Sequence, residues 1–245
     1  MAKEKSTPKR RSVIDLQSDE ERAEVKKFSD AFQLEAVKPA DIELPPMLLL
    51  VWGSEKSGKT HLLSTMSAVM PVYILDTELR AEYVQKKFEN VRVARCRNFI
   101  EMFLSVKGII NKYPKGMVVF DSGTDLHKFA QERSQEELGV ERIFPVTTWD
   151  YVYFKERALL NALKDAGFHV GITARAKDEY VKNEKSGNKI PNCFNELPYK
   201  ADLVILCKED KTKIVQKNGW GLTTDVEFKI TDTLPVIIDK MKELA

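Results

Sequence analysis

The string Gly53-Ser54-Glu55-Lys56-Ser57-Gly58-Lys59-Thr60 carries the densest chemistry in this chain. It fits the pattern G-x-x-x-x-G-K-[ST], in which glycines let the backbone curl until successive N–H groups point inward and cradle phosphate oxygens. Lys59 brings a mobile positive charge suited to the β- and γ-phosphates of a nucleotide such as ATP, and the Thr60 hydroxyl is a hard ligand for Mg²⁺. His61 follows at the start of a helix whose free N–H groups and positive end face the same anion. Chemistry on a terminal phosphate also needs carboxylates, one to complete a metal shell and one to take a proton from the attacking water or orient it. Asp121, which closes the apolar run MVVF, is the candidate for the first task. Glu78, in VYILDTE, is the candidate for the second, with Asp76 as the strand-end residue behind it. An acid that merely opens the next helix is the other reading of Glu78.

Such groups act together only if strand ends bring them to one place. The continuous apolar runs MLLLVW (47–52), VYIL (72–75), MVVF (117–120), HVGIT (169–173) and LVIL (203–206) have the composition of strands buried on both faces of a parallel sheet. Helical stretches are expected near 59–69, 80–89, 98–112 and 149–166. Further on, KIVQ (213–216) and VEFKI (226–230), separated by NGWG, predict antiparallel hairpin material. The expected fold is α/β, a mostly parallel central sheet flanked by helices with a C-terminal antiparallel extension. In doubly wound sheets the C-terminal strand ends meet at the ligand crevice, where Lys59, Glu78 and Asp121 would converge. The polar stretch 129–137 predicts an exposed insertion after the Asp121 strand, with Trp149, Tyr151 and Phe154 packing the next helix into the core.

Composition narrows the class. Of 245 residues, 43% are hydrophobic and 31% charged, enough to fill a sizeable core. No apolar run approaches the roughly 20 residues of a membrane span, and the opening residues predict no secretory leader. Cys96, Cys193 and Cys207 are odd in number and far apart, so neither a disulfide framework nor a zinc site is expected and a cytoplasmic location is the default. Net charge is +2, and Lys3, Lys5, Lys9, Arg10 and Arg11 against Glu4 put +4 in the first eleven residues, leaving −2 for the rest. Binding of nucleic acid by the whole body is therefore not indicated. Three regions follow: a disordered basic arm (1–17), an N-terminal helix and linker (18–44) and a main domain (45–245). Within the second, Ser18 and the acids Glu20, Glu21 and Glu24 open a helix whose Val25, Phe28, Phe32 and Ala36 share one face.

The landmarks GSEKSGKT, YILDTE and MVVFDS, in this order, resemble the RecA-like P-loop ATPase family. HVGITARAKDEY and LPYKADLVI are similar to segments of the short RecA-like ATPases of phages, archaeal viruses and plasmids, some of which act in single-strand annealing and recombination. The resemblance covers about residues 45–230. It implies that Lys59 and Thr60 bind phosphate and Mg²⁺, that Glu78 activates water, that Asp121 completes the metal shell, and that Thr173 and Arg175 stand where the family couples the γ-phosphate to DNA. The family often has Gln or His there, whereas this chain has Ala174 between the two. Lys217 falls near positions where some filaments insert a lysine into a neighbour's site, although a solvated hairpin lysine is the favoured reading. Phe28-Ser29-Asp30-Ala31 matches the Phe-x-x-Ala segment that filament-forming recombinases dock on the next subunit, while packing of this helix on its own domain is the favoured reading.

Residues 175–200 form the candidate DNA loop, in which Lys177, Lys182, Lys185 and Lys189 with Tyr180 and Phe194 could grip a phosphate backbone and stack bases. An ordinary flexible loop with Ser-Gly-Asn at its tip has the same composition. The expected function is a Mg²⁺-dependent ATPase acting on single-stranded DNA as a homo-oligomer with ATP at or near the subunit interface, away from membranes. The alternative is a P-loop motor or switch working with a protein partner. A small-molecule kinase fits less well, because no arginine-rich lid is present.

Overall fold

The computed structural model describes residues 45–142, 146–221 and 224–244; the arm, the helix and the linker expected over residues 1–44 lie outside the described residues. Six strands run parallel: β1 (Leu48–Gly53), β2 (Val72–Asp76), β3 (Val91–Arg95), β4 (Met117–Asp121), β5 (His169–Val181) and β7 (Leu203–Cys207), in the order β3-β2-β4-β5-β1-β7. Antiparallel β8 (Lys213–Asn218) and β9 (Val226–Phe228) extend the β7 edge, and antiparallel β6 (Glu184–Asn192) pairs with the outer half of β5. This is the α/β fold expected, with its antiparallel extension.

Alternate residues of β1 point to opposite faces and build two cores. Leu48, Leu50 and Trp52 pack with helices α3 (Phe99–Lys112), α4 (Gly123–Leu138) and α5 (Val146–Asp165) on one face. Met47, Leu49 and Val51 pack with α1 (Lys59–Ser64, continued by a 3₁₀ turn to Ala68), α2 (Glu82–Lys87) and α7 (Leu234–Glu243) on the other. A single turn, α6 (Leu197–Lys200), precedes β7.

Several segments depart from the sequence expectation. The polar stretch 129–137 is not an insertion loop but the body of α4: Leu126, Ala130 and Ser134 bury one face, and Ser122 caps it by accepting from Asp125 N. The strand expected at 169–173 runs on to Val181 and folds back through Lys182 and Asn183 as β6, so the charged loop is a hairpin. Both turn residues have positive φ, 51° and 69°, the signature of a tight two-residue reversal, and Ser186-Gly187-Asn188 lies within β6 rather than at the tip. β3 and α7 had no counterpart in the sequence reading. Finally, of the aromatics expected in the core, Trp149 packs there, whereas Tyr151 and Phe154 are 37% and 47% exposed.

The junction of β1 with the following loop tolerates no side chain at Gly53. Its φ is 148°, and a Cβ there would lie 2.1 Å from the Cys207 carbonyl oxygen on the neighbouring strand. Gly53→Ala is expected to destabilise the domain by about 2 to 3 kcal/mol, through clash and strain together. Thermal unfolding checks this, and a melting temperature within a degree of wild type would contradict it.

Candidate active site

Four strand ends supply the site. β1 delivers the loop 53–60, β2 delivers Asp76-Thr77-Glu78, β4 delivers Asp121 and β5 delivers Thr173 and Arg175. Register sets their relative depth: Val51 pairs with Thr173, Gly53 with Arg175, Phe120 with Ile172, and Asp76 with Asp121. Thr173 therefore stands beside Asp121, one strand away from the loop.

In the loop, Gly58 (φ 91°) and Lys56 (φ 59°) adopt left-handed backbone, and Ser57 Oγ donates to Ser54 O (2.9 Å) to hold the curve. Lys59 Nζ bends back over it, donating to Ser54 O (2.7 Å) and Gly53 O (3.2 Å). Burial lowers the Lys59 pKa, opposed by the nearby Cys207, Asp121 and Glu78. Asp121 is 8% exposed and accepts from Thr60 Oγ1 (2.8 Å) and Thr173 Oγ1 (2.5 Å). Burial pushes its pKa up to about 6, against the two hydroxyl bonds, with Glu78 and Asp76 raising it further. Asp76 is fully buried and accepts from Glu78 N (3.0 Å) and Ala81 N (2.8 Å), so it shapes the segment that carries Glu78.

Glu78 faces Arg175, whose Nε and Nη2 both donate to Glu78 Oε1 at 3.0 and 2.7 Å. This contact raises the Arg175 pKa further. Arg175 also reaches Asp125 Oδ2 (3.4 Å), which in turn accepts from Thr77 Oγ1 and Ser122 Oγ. Thr77, Asp125 and Thr124, whose hydroxyl joins Arg175 N to Asn192 O, thus brace the site although the sequence reading passed over them. A signal for Asp125 was present: Ser122-x-x-Asp125 is a capping-box pattern directly after a candidate metal-binding acid.

A cleft of about 220 Å³ is lined by Glu55, Lys56, Lys59, Thr60, Glu78 and Asp121 among others. Beside it lies a cavity of about 590 Å³ whose lining includes His61, Lys87, Lys211, Lys213 and Asp232, with Lys56, Gly58 and Tyr83 bordering both. His61 belongs to this larger cavity, its ring tilted against Phe88 with centroids 5.3 Å apart, and not to the phosphate cleft. The oxygen donors Thr60 and Asp121 suit a hard divalent cation, and a cation there would offset the unfavourable burial of the Asp121 charge.

The candidate DNA residues are elsewhere, on the β5–β6 hairpin. Lys185 pairs with Asp178 (2.9 Å), as does Lys189, whereas Lys177 and Lys182 make no ion pair among the described residues. Lys217 is half-buried and engaged: its Nζ donates to Tyr199 O (2.5 Å) and Ala201 O (2.6 Å), closing the carbonyl end of α6. Cys96, Cys193 and Cys207 are buried free thiols. Among the described residues no helix is long and apolar enough to cross a membrane.

The strand order, the loop after β1 and the carboxylates ending β2 and β4 define a P-loop nucleotide-binding ATPase fold of RecA-like type. Residues 46–230 match the AAA domain family model, and the chain belongs to that family. Its fold is similar to that of the RadB recombinase crystal structure, with a TM-score of 0.50 and 15% identity over 75% of this chain and 86% of that one. No curated protein matches the sequence.

The raised Asp121 pKa has a stability consequence. A carboxyl whose folded pKa lies above its unfolded value of 3.8 contributes stability below pH 4 that is lost as pH rises through about 6. Without divalent cation, Asp121→Asn is therefore expected to be the more stable protein at pH 8, by about 2 to 3 kcal/mol. The advantage should shrink to nothing near pH 4. Thermal melts in chelator across this range test it, and a pH-independent difference would refute the burial argument.

Proposed function

We propose that the chain hydrolyses ATP with Mg²⁺ at this cleft and uses the cycle to act on single-stranded DNA. The observation that supports hydrolysis best is the convergence of Lys59, Thr60, Asp121 and Glu78 on one cleft. In this reading the loop N–H groups and Lys59 hold the β- and γ-phosphates, while the larger cavity receives the nucleoside with Tyr83 at its edge. Thr60 and Asp121 hold Mg²⁺, which neutralises phosphate charge when bound. Water attacks the γ-phosphorus, the bond from phosphorus to the bridging oxygen breaks, ADP leaves, and Glu78 accepts the proton of the attacking water. The Arg175 contact orients the Glu78 carboxylate and neutralises it until that pair opens.

The DNA part of the proposal draws on the likeness to the RadB recombinase and to the short phage, archaeal-virus and plasmid ATPases, and on the hairpin that carries Lys177, Lys182 and the 60% exposed Tyr180. Assembly into a homo-oligomer with ATP at or near the subunit interface and a cytoplasmic location belong to the same reading. One observation favours the alternative of a protein partner: Asp178 neutralises Lys185 and Lys189, leaving the hairpin less basic than its lysine count suggests.

Two expected outcomes follow. Glu78→Gln should still bind ATP but turn over roughly 10²-fold more slowly; unchanged turnover would remove Glu78 from the mechanism. Single-stranded DNA should stimulate hydrolysis by the wild type, and Lys177→Ala with Lys182→Ala should lessen both the stimulation and the salt dependence of binding. Hydrolysis indifferent to DNA would favour the protein partner.

A further inference from the structure

On the face of the sheet that carries α3 and α5, these two helices leave an apolar groove of about 380 Å³ at the surface. Its α3 wall is Phe99, Phe103, Val106 and Ile110, and its α5 wall includes Phe154, Ala158 and Ala162. Phe154 is 47% exposed and Phe103 half-buried, an unfavourable setting for two phenyl rings on adjoining helices. Spacings of 4, 3 and 4 place the α3 residues on one helix face, and the two alanines, four apart, make the other wall shallow enough for a third helix to approach closely.

We infer that the groove is the docking site of this chain's own residues 18–37. Three observations select that occupant. The apolar stripe Val25, Phe28, Phe32 and Ala36 predicts a helix face spanning eleven residue steps, about 16 Å. Phe99 to Ile110 on α3 spans the same eleven steps. Within the stripe, Phe28 and Phe32 are four residues apart, matching the interval between Ala158 and Ala162, so large side chains meet small ones. The third observation concerns where the described chain begins. Asp165, at one end of the groove, lies four residues before His169, and His169 Nδ1 accepts from Met47 N (3.2 Å). Met47 therefore lies at the same edge of the sheet as the Asp165 end of the groove, and the nine residues from Ala36 to Pro45 can span up to about 30 Å. Docking within one chain is sterically direct and costs little closure entropy.

Hydrogen exchange of the full-length protein tests this, read on amides 20–36. The wild type should exchange there at least about tenfold more slowly than an unstructured chain. That protection should vanish in Phe28→Asp with Phe32→Asp, and equally in Phe154→Asp, whose exposed position makes the folded domain and its ATP turnover insensitive to the change. Fast exchange in the wild type would overturn the inference, as would slow exchange that survives Phe154→Asp. Protection that is lost on dilution together with a dimer mass in light scattering would place the segment on a second copy, which also overturns it.

Discussion

The site hangs on one buried carboxylate. Asp121 sits at the end of a strand with its two oxygens tied to hydroxyls from different directions, Thr60 on the nucleotide loop and Thr173 on β5. Those two bonds, with the Thr77 N–H and hydroxyl on the Asp121 carbonyl, link four strand ends through a single residue. Removing a carboxylate from water is costly unless charge or hydrogen bonds compensate. Here two hydroxyl donors compensate in part, and the remaining cost appears as the raised pKa. The domain thus holds tension between stability and use at the point where a cation would relieve it.

Around that residue the acids divide by environment. Asp76 is buried and spends both oxygens on backbone N–H groups, so it is architecture. Glu78, two residues on, faces the cleft and meets Arg175. Asp125 gathers Thr77, Ser122 and Arg175, joining the start of α4 to the segment after β2. These four neighbouring carboxylates thus range from fully buried to cleft-facing, and their surroundings set them apart.

The sequence made legible what depends on local pattern. The loop motif and the apolar runs 47–52, 72–75, 117–120 and 203–206 place four strands within a residue or two, because strands buried on both faces allow few other compositions. Asp76 closes β2 and Glu78 lies two residues beyond it in the cleft lining; a period of two alone would put both on one side, and it is the backbone N–H bonds to Asp76 that turn the segment. Elements whose burial is one-sided were harder. α4 is so polar that its buried stripe of Leu126, Ala130 and Ser134 reads as loop, and short β3 buries only Val91 and Ala94, with two arginines among its five residues. The extension of β5 beyond Thr173 was hidden because its outer residues are mostly polar and only partly buried, and the pairing with β6 makes them a strand. The Arg175–Glu78 contact spans 97 residues and has no local signature at all.

The hairpin has one more implication. Its base is anchored, through Thr124 to Asn192 and Arg175, while among the described residues Lys182 and Asn183 at the tip make no hydrogen bond or ion pair to another element. A turn that supports nothing can change length without disturbing what lies below it. An inserted peptide or a fluorophore tag between residues 182 and 183 would leave the strands and the site below it in place. That turn is joined, along the continuous strand β5, to Thr173, which holds Asp121.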